Sequence, residues 1–97
     1  MAETLTGKAL EEELATVPAW TQDEDSIIHT FSFSSYLGGI DFVKEVALLA
    51  EAANHHPDIL IEWRKVTLVL TTHSAKGLTA LDFKLAREID ALAETSV

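Results

Sequence analysis

Cysteine is absent from the 97 residues, and its absence excludes disulfides, thiolate metal sites and cysteine nucleophiles. Any chemistry must therefore use histidines, carboxylates, hydroxyls or the backbone. Basic residues are also scarce, because 7 Lys and Arg stand against 16 Asp and Glu, for a formal charge of −9. A surface of this charge repels a phosphate backbone, so we expect no direct binding to nucleic acid.

Long apolar runs are missing as well. The apolar stretches are far shorter than the roughly 18 residues that a membrane-spanning helix needs. The chain also does not begin with a basic segment followed by an apolar one, which would mark a signal peptide. We therefore expect no membrane association and a cytoplasmic location. The length favours a single domain, residues 1–97, because two cores of half this size would each be marginal.

Three segments carry helical signals. Leucines at 5, 10 and 14 predict a short first helix with Thr6 as its N-cap. A second helix begins from Ser35, capped by Ser34 or Ser35, and ends near Asn54, since Pro57 disfavours helical geometry in the residue before it. A closing helix is capped by Thr79, with Asp82 three positions later. The predicted buried face of the second helix is Leu37, Ile40, Val43, Val46, Ala47 and Ala50, and that of the closing helix is Leu81, Leu85, Ile89 and Leu92.

Two segments carry strand signals. Residues of about 26–33 alternate in the manner of the second strand of a hairpin. Residues 58–73 are rich in β-branched and apolar types and predict a second hairpin with its turn near Arg64 and Lys65. In its second strand, positions 66, 68, 70 and 72 share one face, whereas 67, 69, 71 and His73 share the other. The predicted fold is α+β, a four-stranded antiparallel sheet with three helices on one face in the order α-β-β-α-β-β-α.

Three histidines, His55, His56 and His73, lie at the ends of these predicted elements. They could be metal ligands, acid/base groups or ordinary polar residues, since a histidine at a helix C-terminus interacts favourably with the helix dipole. A metal site is disfavoured because adjacent histidines rarely point at one ion and no HExxH spacing is present. Acid/base chemistry fits better, because an imidazole can both give and accept a proton near neutral pH.

Two carboxylates stand where they could support such a site. Glu51 lies one helical turn before His55, although it could equally be a solvated helix carboxylate. Asp82 could be only the capping partner of Thr79. The sequence contains no GxSxG, P-loop or GxGxxG motif, so a covalent or nucleotide-dependent mechanism has no support.

The spacing of these residues resembles one protein family. Glu51 is followed by His55, His56 and Pro57, then by Trp63, His73 and Asp82, and the segment from Thr72 to Asp90 reads THSAKGLTALDFKLAREID. This series resembles the pterin-4a-carbinolamine dehydratase family, and the resemblance extends from Trp20 to about Leu92. Asn54 stands where animal members of the family carry an aspartate.

The resemblance implies a hydro-lyase that removes water from 4a-hydroxytetrahydropterin to give quinonoid dihydropterin, in tetrahydrobiopterin-type cofactor recycling. It implies that His55, His56 and His73 are catalytic and that no metal or organic cofactor is needed. It further implies that Glu51, Asn54 and Pro57 support the site, that Trp63 helps to wall the pterin pocket, and that the chain forms homodimers or homotetramers. Asp82 would orient His73 or form the cap with Thr79.

A non-catalytic role on the same fold is the alternative. Relatives of this fold act as a dimerisation cofactor of a transcription factor, and others resemble assembly factors for Rubisco, so the fold alone does not fix the function. The presence of all three histidines favours the enzyme, because a surface that only binds other proteins has no need of that set.

Overall fold

The computed structural model describes residues 3–95. The helices are α1, Gly7–Ala15, α2, Tyr36–Ala53, and α3, Ala80–Thr95. The strands are β1, Thr21–Asp23, β2, Ser26–Ser32, β3, Asp58–Glu62, and β4, Lys65–Leu70. This α-β-β-α-β-β-α order confirms the predicted fold class. None of the described helices combines the length and the apolar character needed to cross a bilayer.

The four strands form one antiparallel sheet in the order β1-β2-β4-β3. Leu70 at the end of β4 pairs with Ile27 at the start of β2, and Val69 pairs with Asp58 at the start of β3. The end of β4, the start of β3 and the β1–β2 turn therefore meet at the same end of the sheet. The segment that follows α2 enters at this end, because it leads directly into β3.

The alternation of β4 places its apolar side chains on the helix-covered face. Val66, Leu68 and Leu70 are buried, together with Ile27 and Phe31 of β2. The opposite face is polar over part of its width, since the exposed hydroxyls of Thr30 and Thr67 lie 2.9 Å apart and hydrogen-bond there. The predicted parity of β4 is confirmed up to Thr72, which is also buried.

The orientation of α2 differs from the prediction. Its buried residues are Gly39, Phe42, Val46 and Ala50, whereas Leu37 is 68% exposed and Ala47 is also exposed. Phe42 sets this orientation because its ring packs on both Phe31 and Phe33 of the sheet, with ring centroids 4.9 and 5.1 Å away. The expectation that Leu37 and Ala47 belong to the buried face was therefore wrong.

The start of α3 shows a smaller difference of the same kind. Leu81, expected in the core, is 41% exposed, and Phe83 is fully buried in its place. Leu85 and Ile89 are buried as predicted. The capping geometry explains the shift, because it is Asp82 that points inward from the first turn of α3 and is 0% exposed.

Candidate active site

The end of α2 directs the two adjacent histidines to different places. Asn54 adopts a left-handed conformation, with φ 49° and ψ 43°, which asparagine tolerates better than most residues. Its N–H donates to the carbonyl of Glu51, and the N–H of His55 donates to the carbonyl of Ala50 at 3.0 Å. These two bonds form a Schellman motif, which ends the helix and reverses the chain. The role of Asn54 in this structure is therefore to turn the backbone that carries His55 and His56.

His55 turns inward and contacts Asp82 at the start of α3. Its Nε2 lies 2.6 Å from Oδ1 of Asp82, and the two side chains are 10% and 0% exposed. His55 sits just past the C-terminus of α2 and Asp82 in the first turn of α3, so each end carries the charge that its helix dipole favours when the imidazole is protonated. A buried carboxylate that contacts an imidazole holds the ring in one orientation.

The second oxygen of Asp82 completes a buried network. Its Oδ2 accepts the backbone N–H of Thr79 at 2.9 Å and the hydroxyl of Thr72 at 2.8 Å. The hydroxyl of Thr79 accepts the N–H of Leu81 at 3.2 Å, so Thr79 is the N-cap of α3 as predicted, and Asp82 bonds back to its backbone. Of the two roles considered for Asp82, the structure shows the cap on Thr79, and the other oxygen of Asp82 contacts His55 instead of His73.

Thr72 is a member of the site that motif reasoning missed. It is 4% exposed and its hydroxyl lies 2.8 Å from that of Thr79. The sequence did contain a signal for it, because Thr72 occupies the core-facing parity of β4 after Val66, Leu68 and Leu70. A polar residue on a core face requires a hydrogen-bond partner, and such a residue is a candidate for a buried network.

His56 turns toward solvent and contacts Glu51. Its Nε2 lies 2.5 Å from Oε2 of Glu51, and the two side chains are 56% and 75% exposed. The contact joins the last turn of α2 to the residue before Pro57, so Glu51 supports His56 and not its neighbour His55. The two adjacent histidines therefore have separate carboxylate partners in different surroundings, one buried and one exposed.

His73 begins a short 3-10 turn, His73–Ala75, and not the end of a strand as expected, because β4 ends at Leu70. It lines an open cavity of about 530 Å³ with Lys76, Thr71 and the acidic β1–β2 turn, residues 23–26. The hydroxyl of Thr71 donates to the carbonyl of Asp25, which ties the end of β4 to that turn. His73 follows Thr72 directly, so the Asp82 network connects its backbone to His55.

Trp63 is not brought together with the histidines. It lies in the β3–β4 turn with φ 42° and is 69% exposed. The guanidinium of Arg64 lies over its ring, 4.0 Å from the centroid. The five residues of β3 separate this turn from His56, so the two are at opposite ends of the strand. Within one chain, Trp63 lines a different cavity, with Phe33 and Lys65.

The described residues, 3–95, contain no group of three or more histidines and carboxylates arranged to hold a metal ion. Each imidazole with a close carboxylate has only that one: Asp82 for His55 and Glu51 for His56. Within the same part of the chain, every buried side-chain nitrogen and oxygen has a hydrogen-bond partner. The arrangement is therefore suited to orienting imidazoles for proton transfer.

Comparison with known proteins identifies the family. The family model described as pterin 4 alpha carbinolamine dehydratase matches residues 3–92. The chain belongs to this family. A relative from Roseiflexus sp. (strain RS-1), named for pterin-4-alpha-carbinolamine dehydratase, is 53% identical over 93% of this chain and 97% of its own length. A relative of the same name from Thermosynechococcus vestitus is 45% identical over 96% of this chain and 98% of its own length.

Two solved structures share the fold of this family member. The structure of a transcriptional coactivator/pterin dehydratase from Brucella melitensis is similar with a TM-score of 0.89 and 32% identity, over 94% of this chain and 99% of that one. A pterin dehydratase-like protein, described as a RuBisCO assembly factor in the alpha-carboxysome, is similar with a TM-score of 0.64 and 25% identity. That match covers 76% of this chain and 86% of the assembly factor.

Proposed function

We propose that this chain is a hydro-lyase that removes water from a 4a-hydroxytetrahydropterin to give the quinonoid dihydropterin. One observation carries the proposal: His55 is fixed by the buried Asp82, beside the His56–Glu51 pair, and the same network reaches the residue before His73. Membership of the family supports a pterin as the substrate class.

The reaction needs an acid and a base at the same time. A proton must reach the departing 4a-hydroxyl, and another must leave a ring nitrogen so that the C=N bond can form. One positioned acid or base contributes about 10²–10⁴-fold to such a step. His55, His56 and His73 are the proposed catalytic groups. Their different settings, one partly buried and two exposed, support a division of the two tasks among them.

The supporting residues have distinct proposed roles. Glu51 orients His56 through the 2.5 Å contact. Asn54 and Pro57, on either side of the two histidines, set the backbone so that His55 and His56 point in different directions. No metal or organic cofactor is required by this chemistry. The proposed setting is tetrahydrobiopterin-type cofactor recycling in the cytoplasm, with a reductase that takes up the dihydropterin.

We further propose that the chain forms a homodimer or homotetramer. β3 lies at the edge of the sheet and exposes Ile59, Leu60 and Ile61 to 37%, 54% and 37%. An apolar edge strand with unpaired backbone groups is a template for pairing with another strand. Sedimentation of the purified chain at micromolar concentration should therefore give a dimer or a tetramer, and a monomer would contradict this proposal.

The dehydratase activity is tested by the rate at which the purified chain dehydrates a 4a-hydroxytetrahydropterin. His73→Ala should lower the rate by about 10²–10⁴-fold, the contribution of one positioned acid or base, while the circular dichroism spectrum stays unchanged. His29→Gln is the matched control, because His29 lies on β2 against Trp20 and Phe31, outside the network. A dehydration rate with the wild-type protein that equals the rate in buffer alone would contradict the proposed enzyme activity.

The alternative is a non-catalytic interaction or assembly factor, and two observations favour it. One of the two similar solved structures is that of a transcriptional coactivator/pterin dehydratase, and the other is that of a RuBisCO assembly factor. In addition, α2 exposes Leu37 and Leu48 to 68% and 65%, which provides apolar surface for a partner. A folded protein without dehydratase activity would favour this alternative.

A further inference from the structure

The buried network around Asp82 is a chain of hydrogen bonds whose direction can be worked out from its donors. At one end the backbone N–H of Leu81, which can only donate, points to the hydroxyl oxygen of Thr79 at 3.2 Å. The hydroxyls of Thr79 and Thr72 lie 2.8 Å apart. At the other end, the hydroxyl of Thr72 donates to Oδ2 of Asp82 at 2.8 Å.

Each hydroxyl has one hydrogen, and this fixes every bond in the chain. Thr72 donates its hydrogen to Asp82, so in its contact with Thr79 it must be the acceptor. Thr79 therefore donates to Thr72, and its own oxygen accepts from Leu81. Oδ2 of Asp82 also receives the backbone N–H of Thr79 at 2.9 Å. An ionised carboxylate only accepts, so Oδ1 of Asp82 requires a donor, and the group it faces is Nε2 of His55.

We propose that Thr72 and Thr79 are positioning residues that, through Asp82, hold His55 as the tautomer with its hydrogen on Nε2 and leave Nδ1 as the reacting nitrogen. The role of this nitrogen rests on the proposed dehydratase function. Nδ1 then acts as the base: it takes the proton from the pterin ring nitrogen, and the electron pair of that N–H bond forms the C=N bond. The C–O bond breaks as its oxygen takes a proton from a second, protonated imidazole and leaves as water.

The position of Thr72 in the chain gives the network a second effect. Its backbone N–H donates to the carbonyl of Gly77 at 3.1 Å, and its carbonyl accepts the N–H of Gly77 at 3.4 Å. These two bonds close the loop that carries His73. Thr72 therefore fixes the loop of His73 with its backbone and, with its hydroxyl, holds the carboxylate that faces His55.

The tautomer is measured directly by long-range ¹H–¹⁵N correlation spectra of protein with ¹⁵N-labelled histidine rings, without any substrate. His55 is expected to show a protonated Nε2 and an unprotonated Nδ1. A protonated Nδ1 in the neutral ring would overturn the proposal, whatever the activity. The expected tautomer in a protein without dehydratase activity would support the positioning network and contradict the proposed function instead.

Variants of Thr72 test whether its hydroxyl positions Asp82 for the contact with His55. Thr72→Val keeps the size of the side chain but removes the hydrogen donated to Asp82, so the carboxylate and the His55 ring should be held less firmly, and kcat should fall by about 10-fold, with KM changed less. The Nε2–H tautomer should remain, because Asp82 still accepts at Oδ1. Thr72→Ser restores the hydroxyl and should recover most of the loss. Thr67→Val is the matched control, since it removes a hydroxyl from the exposed face of β4. Equal effects of Thr72→Val and Thr67→Val would overturn the assignment.

Asp82→Asn should reverse the tautomer of His55. Because Thr72 and Thr79 still donate to the side-chain oxygen, the amide NH₂ must face Nε2 of His55 and donate to it. The hydrogen of the neutral ring should then move to Nδ1, and the base would be lost. Retention of the Nε2–H tautomer in this variant would contradict the proposal.

Discussion

Gly77 closes the loop that carries His73, and the structure predicts that its substitution by alanine has an effect whose sign depends on Thr4. Gly77 is buried, and a Cβ atom built on it would lie 2.8 Å from Cγ2 of Thr4. The next nearest atoms are 3.7 and 3.9 Å away, which is ordinary contact. Its backbone is not in the left-handed region, so the obstacle to alanine is the space taken by Thr4 and not the backbone conformation.

The size of the effect follows from two opposing terms. Replacing glycine by alanine at a compatible backbone stabilises a protein by about 0.4–1 kcal/mol through the unfolded state. The overlap with Thr4 opposes this by about 1–3 kcal/mol, the usual cost of overpacking. Thr4 cannot rotate away freely, because its hydroxyl donates to the carbonyl of Ala75 at 2.8 Å. Gly77→Ala alone should therefore destabilise the protein by about 1 kcal/mol and lower Tm by about 4–8 °C.

Thr4→Ser removes the methyl group and keeps the hydroxyl. In that background the Cβ of Ala in Gly77→Ala meets no atom nearer than 3.7 Å, so the same substitution should become stabilising by about 0.4–1 kcal/mol. Thermal unfolding of the four proteins of this double-mutant cycle, followed by circular dichroism at one protein concentration, gives the comparison. The dehydratase rate should fall and recover in parallel if the loop positions His73. An equal loss of stability in both backgrounds would refute the steric argument.

Three further outcomes can be measured on the same protein. Glu51→Gln should change the free energy of unfolding by less than about 1 kcal/mol because the contact of Glu51 with His56 is exposed, yet it should lower kcat. A change in stability without loss of activity would contradict the role of Glu51 in orienting His56. Burial lowers the pKa of His29 below 6.5 despite the opposing charge of Asp90, so the unfolded chain binds the proton more readily and stability should fall as pH drops below about 6.5. Urea midpoints between pH 7.5 and 5 should show a shallower decline in His29→Gln, and equal declines would contradict this account. Trp63→Ala should leave kcat and KM within about twofold in steady-state assays, since β3 separates Trp63 from His55 and His56. A larger effect would mean that the indole of a second chain reaches the site.

Local signals in the sequence were sufficient for the elements and for several of their ends, although not for the end of β4. The capping box of Thr79 and Asp82, the N-cap Ser35, whose hydroxyl accepts from Gly38, and the end of α2 near Asn54 all depend on residues within a few positions of one another. The alternation of β4 likewise predicted its buried face up to Thr72. These features could be predicted because the interactions that determine them are short-range.

The pairings across the fold could not be predicted in this way. α2 is apolar on more than one side, so its periodicity did not decide between a face with Leu37 and one with Phe42, and aromatic packing against β2 decided it. The partner of Asp82 is 27 positions away in the sequence, and it is the order of the strands that brings the end of α2 to the start of α3. The position of Trp63 was predictable in part, since it follows β3 whereas His55 and His56 precede it, and five residues of strand span about 16 Å.

The dual use of Asp82 explains why folding and the proposed chemistry are linked in this chain. The residue three positions after the N-cap in a capping box is commonly Glu or Gln, whose side chain reaches back to the N-cap backbone N–H. The shorter Asp82 places one oxygen on the N–H of Thr79 and the other on His55, and burial keeps water from either contact. The group that starts α3 is therefore also the group that orients an imidazole. The start of α3 therefore supplies Asp82 to the candidate site, and the turn at Asn54 supplies His55 and His56.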